Sequence, residues 1–366
     1  MANANVMLSP MAGFTDAPMR LMCSRFGAAR TFTEMVNAAG LARDGDASWA
    51  LLETLPGEPK PFAHLYGSNP DEFSAAAEKV AATGRFSGID INAGCPAPKV
   101  VREGAGSALM RNPRLVGRIV AAAKAASGLP VSVKTRIGYT PSDITVFALL
   151  EEAETVGASA LSVHGRYRAQ GHAGPVAFDI VAGVKHRASI PVYGNGGVRD
   201  AGTADDFVAR TGVDGLLVGQ GAIGHPWVFR EIRDGVSFPP GLSRATVIPL
   251  NEIRAVLLEH LDLDFAFIND LAVKYPALLA DDTPEMLTVI RFRLHLFRYL
   301  SGLKGVSRMR GRLATVRSLD EVRRAIDDCL DCEATRRSRR AERLAAETGV
   351  TKVCQPDLAR RGVRRK

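Results

Sequence analysis

Residues 88–110 read GIDINAGCPAPKVVREGAGSALM. The stretch opens as a short β-branched strand, Ile89–Asn92, and breaks into a turn rich in Gly and Pro. Gly94 lets the backbone bend, and Pro96 cannot extend a strand ladder. An alanine-rich amphipathic run, Pro113–Ser127, follows. Apolar strand, glycine-bearing turn, amphipathic helix is a unit that recurs along the first part of the chain. The predicted strands are Val6–Ser9, Thr31–Thr33, Phe62–Leu65, Ile89–Asn92, Val131–Thr135, Leu161–His164, Val192–Asn195 and Gly215–Val218. Helical patterning lies between them, at Asp71–Ala82, Pro113–Ser127, Asp143–Val156 and Ala201–Arg210. Strand alternating with helix implies an α/β fold with a parallel sheet. Eight such units in about 250 residues fit a (β/α)8 TIM barrel. A doubly wound open sheet is weakened because no G-x-G-x-x-G follows the first strand.

Pro239-Pro240-Gly241 marks the end of this pattern. Beyond it the period is helical, over Leu250–Phe267, Pro284–Leu300 and Leu319–Cys332. The reading is therefore a barrel over 1–240, a helical bundle over 246–333 and a basic tail over 334–366. The tail is expected to extend the last helix and then become disordered, because large apolar residues are few there.

The chain has 366 residues, and 46% are hydrophobic, ample for a packed core. No apolar run reaches the ~18 residues a bilayer span needs. The N-terminus carries no signal-like h-region, so we expect a cytoplasmic protein without membrane attachment, and a monomer. The five cysteines are too scattered for a disulfide framework. Cys23 reads as core. Cys329, Cys332 and Cys354 offer three soft ligands but no fourth, and residues three apart share a helix face without purpose; no metal site is assigned. The tail holds Arg336, Arg337, Arg339, Arg340, Arg343, Lys352, Arg360, Arg361, Arg364, Arg365 and Lys366 against Glu342, Glu347 and Asp357. That surplus equals the formal charge of the whole chain, +8. Such a tail suits a phosphate polymer or serves solubility.

A barrel of this kind places its chemistry at the C-terminal strand ends. Strand one offers Ser9-Pro10-Met11-Ala12-Gly13, and strand three offers His64. Strand four offers Asn92 and Cys95, and strand five offers Lys134 and Arg136. Strand six offers His164-Gly165-Arg166. Strands seven and eight end in Asn195-Gly196-Gly197 and Gly219-Gln220-Gly221. Glycine turns at the last two strands let backbone N–H groups converge on an anion. Singly, each feature has a bland reading: an inert buried thiol, a structural lysine, a capped histidine. Their joint occurrence favours a phosphorylated cofactor.

These residues resemble the tRNA-dihydrouridine synthases. The markers are Pro10-Met11-Ala12-Gly13-Phe14-Thr15-Asp16, Asp90-Ile91-Asn92-Ala93-Gly94-Cys95-Pro96 with Lys99-Val100, and Gly106-Ser107-Ala108-Leu109-Met110. They continue through Lys134-Thr135-Arg136, His164-Gly165-Arg166 and Gly224-His225-Pro226-Trp227-Val228-Phe229. The resemblance implies FMN in the barrel mouth, NADPH as reductant and tRNA as substrate. It implies that Lys134 and His164 bind the flavin, that Asn195, Gly196, Gly197, Gly219 and Gln220 hold its phosphate, and that Pro10, Met11 and Ala12 back the ring. His64 stands where the family usually has Gln against the flavin's pyrimidine edge. Gly197 replaces a usual Asp, and Gln220 a usual Arg, which removes a charge-assisted phosphate contact.

By the same resemblance Asn92 orients the uracil and Cys95 is the general acid. Lys99 and Arg166 are further substrate contacts. Arg293 and His295, ahead of Tyr299-Leu300-Ser301-Gly302, resemble the family's RNA-contacting helix. Reducing the C5–C6 bond of uracil needs a hydride at C6 and a proton at C5. Thiols ordinarily titrate near pH ~8.5, so they carry a proton at neutral pH. Arg291, Arg293, Arg298, Lys304, Arg308, Arg310 and Arg312 are candidates for phosphate contacts. The rival readings are reduction of a ribosomal RNA uridine, of a free pyrimidine or other small enone, or a redox-inactive RNA-binding protein.

Overall fold

A computed structural model of the chain describes residues 5–237, 248–278, 282–303 and 306–348, without the side chains of residues 307, 308, 312, 313, 341 and 344–348. The Pro239-Pro240-Gly241 boundary, Lys304, Cys354 and the tail beyond residue 348 lie outside the described residues, as do the side chains of Arg308 and Arg312.

Eight parallel strands form one curled sheet: β1 (Asn5–Leu8), β2 (Val36–Asn37), β3 (Phe62–Tyr66), β4 (Gly88–Ala93), β5 (Val131–Arg136), β6 (Ala160–His164), β7 (Val192–Asn195) and β8 (Gly215–Val218). β1 pairs with β8, and the pairing then runs in sequence order from β8 down to β2. The circuit closes through residues 29–33. Ala29 N–H donates to Val6 O (2.8 Å) and Leu8 N–H to Arg30 O (2.9 Å) on one side. Phe62 N–H donates to Thr31 O and Thr33 N–H to Phe62 O, both at 3.0 Å, on the other.

The predicted second strand, Thr31–Thr33, thus occupies the expected place, but it is only an isolated bridge at Phe32. The regular ladder falls later, at Val36–Asn37. The cause is Thr33, whose Oγ1 accepts the His64 N–H that a ladder carbonyl would otherwise take (2.9 Å). Pairing resumes only when Val36 meets Leu65. The interruption behaves as a bulge, and it re-aims Glu34 and Met35.

Helices pack outside. In α1 (Ala17–Arg25) Asp16 caps Met19 N–H. α2 (Pro70–Ala82) starts at Asn69 with Pro in its first turn and buries Phe73, Ala76, Ala77 and Val80. α3 (Pro113–Ser127) starts at Asn112 and stops at Gly128, whose φ of +64° satisfies the left-handed C-terminal cap. α4 covers Val146–Thr155, later than the predicted Asp143, because Tyr139 N–H and Asp143 O close a tight turn first. α5 (Phe178–Arg187) and α6 (Ala201–Thr211) complete the ring, α6 through a capping box between Asp200 and Thr203.

Strand alternation sorts the side chains. Ile89, Ile91, Val131, Val133, Leu161 and Val163 join the apolar layer shared with the helices. Their neighbours of opposite parity point into the barrel. Met7, Phe32, Phe62 and Leu217 plug its lower part, and polar residues occupy the upper part.

After α7 (Val228–Arg233) come α8 (Leu250–Lys274), α9 (Pro284–Tyr299), α10 (Val306–Thr315) and α11 (Leu319–Thr348). α8 runs past the predicted Phe267 because no breaker intervenes before Tyr275-Pro276. These helices share a second core with Met22 and Trp227 of the barrel. Glu53, buried in the barrel, takes Arg85 (2.9 Å), Lys274 Nζ (3.0 Å) and Tyr275 Oη (2.8 Å), fastening the end of α8. No helix among the described residues is long and apolar enough to cross a membrane, and these residues hold no cluster of three or more metal-ligating side chains. Cys329 is buried and Cys332 exposed.

Candidate active site

A cavity of about 1300 Å³ opens over the C-terminal ends of the strands and is walled on one side by Arg298, Ser301 and Gly302. Strand register assembles its floor. Asn92 on β4 pairs with Lys134 on β5, Arg136 with His164 on β6, and His164 with Asn195 on β7. Groups distant in sequence therefore become neighbours simply because the strands are parallel and in step.

The Cys95 loop is held by Asn92. Its Oδ1 accepts the N–H groups of Gly94 (3.1 Å) and Cys95 (2.9 Å), an Asx turn that commits this oxygen to the loop. Among the described residues its Nδ2 meets only Met35 Sδ, at 3.6 Å. Gly94 lies against β5, where a Cβ would come within 3.2 Å of Thr135 C. Arg136 ties the neighbouring loops together, donating to Gly94 O (3.0 Å), Tyr167 O (3.2 Å) and Gly171 O (2.7 Å). Cys95 is half-buried and lines the cavity.

Lys134 Nζ donates to Asn195 Oδ1 at 3.2 Å, and Asn195 Nδ2 donates to Leu217 O at 2.8 Å. Burial, with Arg136 beside it, pulls the Lys134 pKa down to about 8. Burial also brings Arg136 down to about 10. His164 is driven far below its ordinary range by burial and by Lys134, Arg136, Arg166 and His172, so the ring is neutral. Arg166 Nη1 can only donate, so His164 Nε2, 3.3 Å away, accepts and Nδ1 carries the proton. His64 is buried, with Nδ1 2.7 Å from Asp90 Oδ2, and Ser132 Oγ donates to Asp90 Oδ1 at 2.6 Å.

Gly196 and Gly197 adopt φ of +112° and +81°. A Cβ on Gly196 would lie 2.7 Å from His164 Cδ2. The turn is thus a cradle that only glycine leaves open. Lys134, Arg136, Arg166, Arg199 and Arg298 face the cavity, against Asp200, whose Oδ1 is taken by the N–H and Oγ1 of Thr203. A roomy cavity with a surplus of cations and an open glycine cradle fits a phosphorylated aromatic cofactor together with a second ring.

Cys95, Asn92, Arg166, Pro10, Met11, Ala12, His64, Lys134, His164, Asn195, Gly196, Gly197, Gly219 and Gln220 all line this one cavity. Three expected site residues do not. Lys99 stands exposed on the short helix Pro98–Arg102, beyond the cavity rim. Arg293 turns away and donates to Val316 O at 2.7 Å. His295 is buried beneath Phe14, with ring centroids 5.7 Å apart, and against His260 at 4.7 Å. It supports a cavity-lining residue and does not reach the cavity itself.

Of the other proposed phosphate contacts, Arg291 faces Asp16 at 3.8 Å and Arg310 lies over the Phe297 ring. Arg298 is the described member of the set that enters the cavity wall. Met35, His172 and Arg199 line the cavity without having been singled out. Only Arg199 had a legible signal, a charge just after the Gly196-Gly197 turn.

The chain matches the family model described as dihydrouridine synthase over residues 7–263. It is 37% identical over 271 residues to tRNA-dihydrouridine synthase B of Pseudomonas putida, covering 73% of this chain and 78% of that protein. It is 34% identical over 321 residues to tRNA-dihydrouridine synthase B of Pseudomonas aeruginosa, covering 86% and 89%. A probable tRNA-dihydrouridine synthase of Mycobacterium tuberculosis is 34% identical over 336 residues, covering 89% and 80%. Among solved structures, an amine oxidase from Pseudomonas geniculata matches with a TM-score of 0.47 and 13% identity, over 64% of this chain and 47% of that one.

Proposed function

Because this chain belongs to the dihydrouridine synthase family, we propose that it reduces the C5–C6 bond of a uridine in tRNA with FMN as the bound flavin, NADPH as its reductant and Cys95 as the proton donor. The observation that carries the reading is the placement of Cys95. Its loop is pinned by Asn92, and Asn92 pairs in register with the cationic Lys134 across one shared cavity.

The flavin, when bound, supplies the hydride that saturates the uracil ring. The protein's own residues do the rest. Lys134 and the neutral His164, with Asn195, offer donors to the polar edge of an aromatic cofactor. His64, fixed through Nδ1 by Asp90, presents Nε2 to the same cavity. Gly196, Gly197 and the turn at Gly219-Gln220 leave backbone amides free for a phosphate. Pro10, Met11 and Ala12, after β1, line the cavity beside that turn, where a Cβ on Gly219 would come within 3.5 Å of Met11 Sδ.

Asn92 Oδ1 fixes the loop so that the Cys95 thiol holds its proton over the cavity, where the uracil C5 would receive it. The target base has to leave its stack to enter, at a cost of a few kcal/mol. Arg298 at the wall, with the basic residues beyond Ala334, offsets that cost through phosphate contacts. Such an enzyme works in the cytoplasm, where tRNA is modified.

Mass-spectrometric mapping of dihydrouridine in tRNA and ribosomal RNA, from cells with and without this gene, tests the reading. Loss of dihydrouridine at a tRNA position is the expected result. Unchanged tRNA with loss in ribosomal RNA would replace the substrate, and no change in either would sink the proposal.

A further inference from the structure

Arg199 stands where the two glycine turns touch. A Cβ built on Gly221, in the β8 turn, would come within 2.6 Å of Val198 O and 3.2 Å of Arg199 Cα. The Arg199 main chain is fixed by its N–H bond to Thr203 Oγ1 (2.9 Å) at the start of α6. Its side chain is exposed and lines the cavity. No carboxylate takes its guanidinium among the described residues, since the adjacent Asp200 turns Oδ1 back onto Thr203.

Arg166 is the neighbour across the turn. It bonds to Gly174 O (2.9 Å) and to neutral His164, and among the described residues it too has no anionic partner. The two guanidiniums are close enough that Arg199 lowers the Arg166 pKa, in addition to the larger effect of burial. Two uncompensated cations beside an open glycine cradle repel each other unless an anion sits between them.

The remaining side chains of the cradle bring no charge. Gly197 has no side chain, and the exposed Gln220 is a neutral amide. Lys134 is engaged with Asn195 on the cavity floor. We propose that Arg199 is the residue that makes this site select a phosphorylated flavin, binding the phosphate monoester at the cradle where the β7 and β8 turns meet. This rests on the flavin reading above and adds to it the source of phosphate specificity. A guanidinium suits the task because its planar fork meets two phosphate oxygens at once.

The test compares FMN with riboflavin, which lacks the phosphate. Full-length wild type, Arg199→Ala, Arg199→Lys and the double variant Arg199→Ala/Gln220→Arg are stripped of flavin by dialysis and titrated with each ligand by flavin fluorescence. Arg199→Ala is expected to weaken FMN by about 10- to 100-fold, the size of a lost charge-assisted contact. Riboflavin should change by less than about 2-fold, which also shows that the variant is folded. Arg199→Lys should fall between, and Gln220→Arg should restore FMN binding to Arg199→Ala. Undiminished FMN binding in Arg199→Ala, or equal losses for both ligands, overturns the inference and leaves the flavin reading standing. Wild-type protein that takes up neither flavin overturns that reading, and this inference with it.

Discussion

His64 Nδ1 lies 2.7 Å from Asp90 Oδ2 beneath the cavity, and both side chains are buried. Asp90 spends its other oxygen on Ser132 Oγ, at 2.6 Å. The carboxylate is therefore the only described partner of two buried polar groups. Asp90→Ala strands both and should cost about 3 kcal/mol of unfolding free energy, measured in urea. Asp90→Asn keeps the shape and one acceptor, so its loss should be about 1 kcal/mol. Equal stability of Asp90→Ala and wild type would mean that the His64 orientation is set by packing alone.

The barrel was legible because alternation and turn chemistry agree at almost every strand. Val192–Asn195 and Gly215–Val218 fall where the pattern predicts. The second strand is the exception, and its displacement to Val36–Asn37 turns on one side chain: nothing local says that Thr33 Oγ1 will replace a ladder carbonyl for His64. In the site, residues directly on strand ends were found from their position. Met35, brought in by that same bulge, and His172, on a long loop, were not. Arg293 and His295 show what sequence position leaves open. Both belong to a recognisable sequence run, but helix rotation aims them at Val316 O and at the His260 ring, and rotation depends on packing partners that lie elsewhere in the chain.

Arg20 and Glu58 form an ion pair fully removed from solvent, at 2.5 Å. Arg20 also donates to Thr15 O (2.8 Å) and Glu53 O (2.9 Å), so it joins α1 and the β1 loop to the chain before β3. Glu58→Ala leaves a buried guanidinium without its counter-charge and should cost about 3–5 kcal/mol. The double variant Arg20→Met/Glu58→Leu removes both charges and should be more stable than Glu58→Ala alone. A double variant that is the less stable of the two would show that the two carbonyl contacts, and not the charge pair, dominate.

If Lys134 holds the flavin as proposed, binding should depend on pH. Its pKa, lowered to about 8 by burial and Arg136, means that the free site is cationic below that pH and neutral above. FMN affinity should be flat between about pH 7 and 8, above the second phosphate ionisation at ~6, and fall as pH rises past about 8, because a ligand that prefers the ammonium has to restore its proton. Lys134→Arg should abolish this decline, and Lys134→Met should weaken binding and abolish it too. Stability runs the other way. The unfolded lysine, at 10.5, binds more protons than the folded one between about 8 and 10.5. Flavin-free protein should therefore gain stability across that window relative to Lys134→Met. Equal pH slopes in wild type and Lys134→Met would refute the assignment.

Arg298 lines the cavity from the helical side and has no ion pair among the described residues. As a phosphate contact it should contribute without regard to base sequence. Arg298→Ala should weaken tRNA binding and lower the slope of log affinity against log salt by about 1. Arg336 and Arg337 should matter less, because both bond to the buried Glu333. A salt slope unchanged in Arg298→Ala, with weakened binding, would mean that the residue acts through packing.

The proton-donor role proposed for Cys95 would separate flavin chemistry from proton delivery. Its backbone N–H is held by Asn92 Oδ1, and its carbonyl accepts Ser107 N–H at 2.9 Å, so the loop is anchored at both ends without the thiol. Removing the sulfur should therefore leave the loop in place. Cys95→Ala is expected to keep bound flavin and its reduction by NADPH, because neither needs the thiol. Dihydrouridine formation should fall by about 10²- to 10⁴-fold, the usual worth of a positioned general acid. Cys95→Ser retains the shape but offers a far weaker acid, so it should recover little. Asn92→Ala removes the acceptor of two loop N–H groups and should lower the rate by misplacing a thiol that is still present, a smaller loss than Cys95→Ala. Single-turnover oxidation of reduced enzyme by tRNA reads the step directly. A Cys95→Ala enzyme that turns over tRNA at the wild-type rate would transfer the acid role to another cavity group, with His172 or solvent as the candidates to test next.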